Sequence, residues 1–340
     1  MKRLKGLDKL MYFINSIVAM MLLLAYLLPY VPPNDFAVIS ILSLTVPLLM
    51  LVNICFVIYW LLKVKRQLFL SLLILLLGYK YLFSLYKFSS SKNVEDQENI
   101  LVMNYNVRLF NVYEWIKDKN VQKSMSEFIA QEHPDIISMQ EYRPDRFVNL
   151  EGYYKYEKLS GQKLRNGQAI FSKFPIVNSG SIEFPNTFNN AIFVDVVKGI
   201  DTIRVYNVHL QSLRIEPTAE ALSKETSEHL IKRISSAFKK QQSQAELFLK
   251  HKSNCPYKMV ICGDFNNTTY SYVYKEIKGD LQDSFEAAGN GFGKTFNFKF
   301  FPIRIDFILA DKAFEINGYK TYDDIELSDH YPIMAKMKLN

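Results

Sequence analysis

The chain has 340 residues, 49% of them apolar, and its 41 Lys+Arg against 34 Asp+Glu give a formal charge of +7. That charge is unevenly placed: residues 1–93 carry ten basic residues and two acids, leaving 31 basic and 32 acidic in the rest, a balance of −1. The basic footprint expected on the globular part of a nucleic-acid binder is therefore absent from the sum, and three cysteines form no disulfide framework. Cys255 and Cys262 lie close enough in sequence to bridge, but free thiols are the favoured reading.

Leu10–Leu28 is 19 residues without a charge and Phe36–Leu62 is 27. A helix needs about 20 apolar residues to cross the hydrocarbon core, so either run is long enough. A cleaved leader is rejected for the first, because no small-residue cleavage site follows and a second apolar run comes at once. Leu68–Tyr79 gives only 12 uncharged residues. That length suits an interfacial or buried helix; with Lys80 snorkelling, the run extends to Tyr86 and spans. Residues 1–88 thus read as an all-α membrane region of two to three spans. Lys2, Arg3, Lys5 and Lys9 precede the first span, and Lys63, Lys65 and Arg66 follow the second, while Pro29–Asp35 has no Lys or Arg. The positive-inside rule puts the basic ends in the cytoplasm, and three crossings carry the rest of the chain outward.

Residues 89–99 (SSSKNVEDQEN) are polar, without apolar periodicity, and read as a linker. From Ile100 to the end the texture becomes that of a single β-rich domain. Ile100–Val107, Ile136–Gln140, Ala169–Phe171, Ala191–Val197, Ile203–Val208, Met259–Ile261 and Ile305–Leu309 predict strands. Val121, Met125, Phe128 and Ile129 predict a helix closed by His133-Pro134. Thr218–Lys250 predicts one or two polar surface helices with a solvated charged face. Phe296, Phe298, Phe300 and Phe301 suit contact with lipid or bases, although an ordinary strand burying alternate faces is the favoured reading.

Polar residues recur where these strands end. Asn106 closes the first, Glu141 follows IISMQ, His209 follows RVYNV, and Asp264 and Asn266 follow MVIC. Asp306 lies inside the apolar RIDFIL, and Asp329-His330 precede the last strand. Each alone has an ordinary explanation as a turn or cap. Together they predict one shared site, because buried charge is costly unless it is paired or coordinates a metal. The other histidines, His133, His229 and His251, lie in helical contexts and predict no chemistry.

The ordered series YNVR, QEYR, NVHL, GDFN, RIDFIL and SDHYP resembles the endonuclease/exonuclease/phosphatase superfamily over residues 100–340. Pancreatic-type deoxyribonuclease, abasic-site endonucleases, neutral sphingomyelinases and inositol polyphosphate 5-phosphatases belong to that superfamily. The resemblance implies an α/β (α+β) four-layer sandwich, two mixed β-sheets face to face with helices outside. It implies Mg²⁺, or Mn²⁺, on Glu141 with Asn106 and Asp329 nearby, hard ligands suited to such ions. It further implies His330 on the scissile phosphate with Asp306 fixing its tautomer, Asp264 on the attacking water, Asn266 donating to a phosphate oxygen, and His209 near the leaving group. Abasic-site endonucleases carry an acid where this chain has Arg108, which cannot ligate a metal. Arg108 and Arg143 match the deoxyribonuclease pattern and are expected to bind substrate.

The expected function is a membrane-tethered, divalent-metal-dependent phosphoester hydrolase. Its expected partners are the bilayer, through the N-terminal helices, and a phospholipid headgroup, small phosphodiester or nucleic acid; no obligate protein partner is inferable. A nuclease on DNA or RNA is the alternative within the class, although the −1 balance of residues 94–340 offers no surplus charge for many phosphates. A catalytically inactive membrane-anchored binding module is the alternative outside it. The full polar set favours the enzyme.

Overall fold

The computed structural model describes residues 4–340 except 89–91, 146, 149, 163, 216–225 and 300. Its first part is helical: α1 (Leu7–Ala25), α2 (Pro33–Ser40), α3 (Val46–Leu62), α4 (Leu68–Leu77) and α5 (Tyr79–Leu85). Leu7–Tyr30 and Pro33–Leu62 are long and apolar enough to cross a membrane. α4 and α5 form a third candidate bent by 73° at Gly78. Gly78 is required there, since a Cβ would stand 2.0 Å from the Tyr26 ring.

Polar pairs tie these helices together, as expected where apolar packing alone distinguishes little. Buried Asn15 donates to Ser71 Oγ (2.6 Å) and accepts from the Trp60 indole (2.9 Å). At one end of the bundle Asp8 pairs with Lys63 and accepts from Tyr59. At the other end Tyr26 stacks on Tyr81 with centroids 5.1 Å apart.

Two six-stranded sheets follow. The first has the order β11 (Phe314–Thr321), β12 (Ile333–Leu339), β1 (Ile100–Asn106), β2 (Ile136–Tyr142), β4 (Asn166–Ser172), β3 (Tyr154–Ser160). The second has the order β5 (Ile176–Glu183), β6 (Asn190–Lys198), β7 (Asp201–His209), β8 (Lys258–Asp264), β10 (Asp306–Ala310), β9 (Gln282–Asp283). Both are mixed, with β1–β2 and β7–β8 parallel and the other pairs antiparallel. Ile100, Val102, Ile136, Val205, Val260, Cys262, Ile308 and Ala335 fill the layer between the sheets. Outside the first sheet lies α6 (Val121–Glu132), whose Val121, Met125, Phe128 and Ile129 cover Met103, Tyr105, Ile137 and Met139. Outside the second lie α7 (Ser227–Lys252) and α8 (Tyr272–Lys278), with Ala245, Phe248, Val273 and Ile277 over Val208, Ile261 and Phe307. α9 (Ser284–Ala288) packs Phe285 into the inter-sheet core. The four-layer architecture is as expected from the motifs.

Three expectations need adjustment. The stretch from Thr218 is described only from Thr226, as a single helix. Its Phe238, Gln241, Gln244, Ala245 and Phe248 are buried, so one face carries core amides and apolar groups rather than only solvated charge. Residues 92–99, read as a linker, run along β11, with Val94 N–H on the Asn317 carbonyl (2.8 Å) and Lys336 on Glu95 (2.5 Å). Phe296 makes isolated bridges to Ile303 and His330 but no strand forms there; Phe300 lies outside the described residues.

The helical region docks on the domain. Asn34 N–H donates to Gln242 of α7 (2.8 Å), and Ile41 and Leu44 pack on Leu213, Ile234 and Phe238. Tyr270 of the domain inserts into the helical core beside Ala25, Tyr26, Val46 and Met50. Ser84 meets Thr269 (3.4 Å), and Lys87 donates to the Glu286 carbonyl (2.6 Å). These contacts come from residues 25–50 and 84–87, the end of the bundle away from Asp8 and Lys63.

Candidate active site

Strand periodicity builds the floor of the site. Successive side chains of a strand face opposite ways. In β1, Ile100, Val102, Asn104 and Asn106 therefore face the second sheet while Met103 and Tyr105 face α6. In β7 the series Ile203, Val205, Asn207, His209 shares one face; in β8, Val260, Cys262, Asp264; in β10, Asp306, Ile308, Ala310. Each face is apolar through the middle and polar at one end. The registers β7–β8 (His209 opposite Asp264) and β8–β10 (Asp264 opposite Asp306) bring the polar ends level.

Asp264 stands at the centre. Its Oδ2 accepts from Asn106 Nδ2 (3.0 Å) and Asn266 Nδ2 (3.2 Å), and its Oδ1 from the Asn266 backbone N–H (2.8 Å). His209 Nε2 and His330 Nε2 each lie 3.7 Å from Oδ2. His330 Nδ1 is 2.9 Å from Asp306 Oδ2, and Phe296 packs edge-on against the ring at 5.0 Å. Burial pushes Asp264 up to about 7, against the pull of His330. Burial alone would depress His330, but the charges of Asp306 and Asp264 overcome it and hold the ring protonated well above its ordinary range. Burial, and then the charge of His330, drives His209 down to about 3, so it is neutral.

Glu141 reaches the site by an irregularity. Strand alternation would point it with Met139 toward α6. The β2–β4 register slips between Met139 and Tyr142, and Glu141 adopts φ +49°. Such bulges re-aim side chains beside active sites, and backbone held in the left-handed region clusters there. Burial and then the charge of Asp329 raise the Glu141 pKa. Asp329 itself receives Arg108 Nε (3.3 Å), whose guanidinium lies 4.4 Å over Trp115. Ser328 Oγ donates to the Asn106 carbonyl (2.9 Å), tying the Asp329-His330 loop to β1.

Arg108, Glu141, Asp264, Asn266, Asp329 and His330 line one cavity of about 490 Å³. Asn106, His209 and Asp306 stand behind them in contact with Asp264 or His330. Arg143 is not among the lining residues and pairs with Asp145 at 3.6 Å. Among the described residues, ligand atoms of Asp264, Asp306 and His330 lie within 4.8 Å of one another, close enough to hold a metal. His330 Nδ1 and two amides already occupy those carboxylates. Glu141 and Asp329 share one cavity, where burial and then the charge of Asp329 make Glu141 costlier to ionise, and the two fit a hard divalent cation by their donor chemistry.

Sequence reading missed the layer beneath. Gln140 Nε2 donates to Asn104 Oδ1 (2.7 Å) and Asn207 Oδ1 (2.6 Å), and Asn207 Nδ2 to the Met139 carbonyl (2.9 Å), linking the two sheets. The signal was present: Asn104 and Asn207 lie two residues before Asn106 and His209 in otherwise apolar strands. Gln241 of α7, also missed, donates to the Gln211 (2.7 Å) and Asn266 (3.2 Å) carbonyls. Nothing in a polar helix separates it from its exposed neighbours.

Two sheets packed face to face, with this acid–amide–histidine cluster at one end, define a phosphoesterase-type architecture. The family model "Endonuclease/Exonuclease/phosphatase family" matches residues 103–330, and the chain belongs to that family. Residues 8–85 match a separate model, "Domain of unknown function (DUF8431)". No curated protein sequence matches the chain. Among solved structures, the human nocturnin catalytic domain with bound sulfate is 17% identical, TM-score 0.52, over 72% of this chain and 94% of that one. An endonuclease/exonuclease/phosphatase from Bacteroides vulgatus is 17% identical, TM-score 0.55, over 71% and 99%. TDP2 of D. rerio complexed with single-strand DNA product is 15% identical, TM-score 0.53, over 72% and 100%. At these identities the likeness is one of fold.

Proposed function

We propose that this protein is a divalent-metal-dependent phosphodiester hydrolase held at a membrane, with residues 100–340 as the catalytic domain. The observation that carries the reading is the convergence of Glu141, Asp264, Asp329 and His330 on one cavity, backed by Asp306 and Asn106. Glu141 and Asp329 would hold Mg²⁺ or Mn²⁺, which supplies Lewis-acid neutralisation of the phosphate oxygens. Asp264, which accepts from Asn106 and Asn266, would position water and take its proton. His330, kept charged by Asp306, would donate to a phosphate oxygen, and neutral His209 lies 3.7 Å from the same Asp264 oxygen as His330. Such positioning and charge neutralisation are most of what phosphoryl transfer requires. The fold-level neighbour with a DNA product supports a phosphodiester, but a domain with 31 basic and 29 acidic residues gives little support to a polyanion.

The test is a panel on the purified full chain in detergent: a chromogenic phosphodiester, phospholipid, RNA and DNA, each with Mg²⁺, Mn²⁺ or excess chelator. Metal-dependent hydrolysis abolished by chelator is expected; turnover undiminished in chelator ends the metal reading, and inertness on all substrates favours a binding module.

We also propose that the domain faces away from the cytoplasm. Its contacts lie with the Pro29–Asp35 end of the bundle, opposite the basic Lys63–Arg66 end. Ile200 is 99% exposed on the domain surface. Ile200→Cys, in a background with Cys55 and Cys255 changed to Ser, should react with a membrane-impermeant maleimide on intact spheroplasts. Reaction only after lysis would reverse the topology.

A further inference from the structure

The cavity over the catalytic cluster is not built by the catalytic domain alone. Leu44, in the helical turn before α3, Pro47, at the start of α3, and Ser84 and Leu85, at the end of α5, line it together with the acids and His330. Facing them are Phe296, Phe298, Phe301 and Ile303 of the domain, with Leu213 and Ile215. The floor is thus charged and the walls are apolar. Leu44 and Pro47 belong to the apolar Pro33–Leu62 segment and Leu85 to the bent pair Leu68–Leu77 and Tyr79–Leu85, so this wall is continuous with helices long and apolar enough to cross a membrane.

This wall is held in place. Leu44 packs on Leu213, Ile234 and Phe238; the residue beside Leu85, Ser84, meets Thr269; and Tyr81 sits 5.9 Å from the Tyr270 ring. A tether serving only to localise the domain needs none of these contacts. Nor does a water-soluble substrate need a half-buried aromatic and aliphatic vestibule, whose exposure to water costs free energy roughly in proportion to its area. A substrate with its own apolar tail would cover it.

We propose that the helical region completes the active site, and that the substrate is a phosphodiester lipid drawn from the bilayer. Its tail lies between Leu44, Pro47 and Leu85 on one side and Phe296, Phe298 and Phe301 on the other. Its single phosphate reaches the Glu141–Asp264–Asp329–His330 floor. Water adds to phosphorus, one P–O ester bond breaks, and the proton ends on the leaving oxygen, giving a phosphomonoester and an alcohol. One phosphate per molecule agrees with a domain whose 31 basic and 29 acidic residues nearly balance, and cavities of about 300–1,000 Å³ accommodate small-molecule ligands. The inference rests on the hydrolase reading above and adds the substrate class and the part played by the anchor.

The test compares two phosphodiesters on the full chain in detergent micelles with Mg²⁺ or Mn²⁺. One is a water-soluble chromogenic diester without a tail. The other is long-chain phospholipid in mixed micelles carrying choline, ethanolamine or glycerol headgroups. The wild-type protein should hydrolyse at least one of the lipids. Leu44→Asp and, separately, the milder Leu85→Ser should lower the ratio of lipid to soluble-diester kcat/KM at least tenfold. The soluble substrate in the denominator separates misfolding from loss of tail binding. An unchanged ratio in both variants overturns the proposal. A wild-type protein active on the soluble diester or DNA but on no lipid also overturns it, while leaving the hydrolase reading intact; inactivity on every substrate overturns both.

Discussion

The first sheet reaches the site with Asn106 and Glu141, the second with His209, Asp264 and Asp306. The first sheet's Glu141 faces another acid, Asp329, and burial with that repulsion raises its pKa. The second sheet's acids are bound to a protonated ring: Asp306 at 2.9 Å and Asp264 at 3.7 Å from His330. Adjacent residues in one loop, Asp329 and His330, are divided between these two halves. The contrast teaches that similar carboxylates differ according to what stands opposite them. In the proposed mechanism the half holding Glu141 and Asp329, where Arg108 pairs with Asp329 only, would take the cation, and the other half would handle the proton.

That division can be broken by mutation. The largest effects belong to the proton-handling half: His330→Ala and Asp264→Asn should each reduce kcat by about 10²–10⁴-fold. Raising Mg²⁺ should not restore either, as steady-state kinetics over a Mg²⁺ titration would show. Glu141→Gln should lower turnover by about 100-fold at low Mg²⁺, in keeping with several kcal/mol of charge stabilisation. High Mg²⁺ should recover part of it. Equal rescue of Glu141→Gln and Asp264→Asn by metal would erase the distinction between the halves.

Proton linkage sharpens the same contrast. In metal-free protein, folded Asp264 and His330 hold protons at higher pH than their unfolded counterparts. Folded protein then binds more protons than unfolded, so stability falls as pH rises. His209 acts in the opposite sense, but below its ordinary value of 6.5. The melting temperature without metal should therefore fall between about pH 6.5 and 8. Added Mg²⁺ should raise it more at pH 8 than at pH 6.5, where protons compete for the acids. Calorimetry showing a rise in metal-free stability over that window would contradict the assignment.

The smallest effects lie beneath and away from the site. Gln140→Leu leaves the Asn104 and Asn207 oxygens without their shared donor and should cost about 1–3 kcal/mol of stability. Denaturant titration would report it, with kcat reduced far less than by His330→Ala. His251 is packed between Phe193 (4.8 Å) and Tyr206 (5.8 Å), with Nδ1 3.1 Å from the Tyr206 hydroxyl. His251→Ala should cost about 1 kcal/mol of stability without a change in kcat. A comparable loss of activity there would mean that the polar strand ends do not bound the site.

The polar members of the site were legible in the sequence because of a strong local conflict. An acid such as Asp306 between Ile305 and Phe307 has to find a partner once the strand is buried, so order along the chain foretold convergence in space. Apolar runs of 19 and 27 residues likewise announce membrane-length helices without reference to anything else. Edge strands β3 and β5 escaped because their exposed faces carry little apolar period, and pairing with β4 and β6 is what makes them strands. Tertiary structure alone decided the rest. A one-residue register slip turned Glu141 into the cavity, and Asp145 drew Arg143 away from it. Gln140 became a bridge between sheets only when those sheets met, and Leu44 and Leu85 became cavity wall only when the helices docked. Periodicity and burial cost are written in neighbouring residues, whereas register, docking and shared cavities depend on the packing of segments distant in sequence.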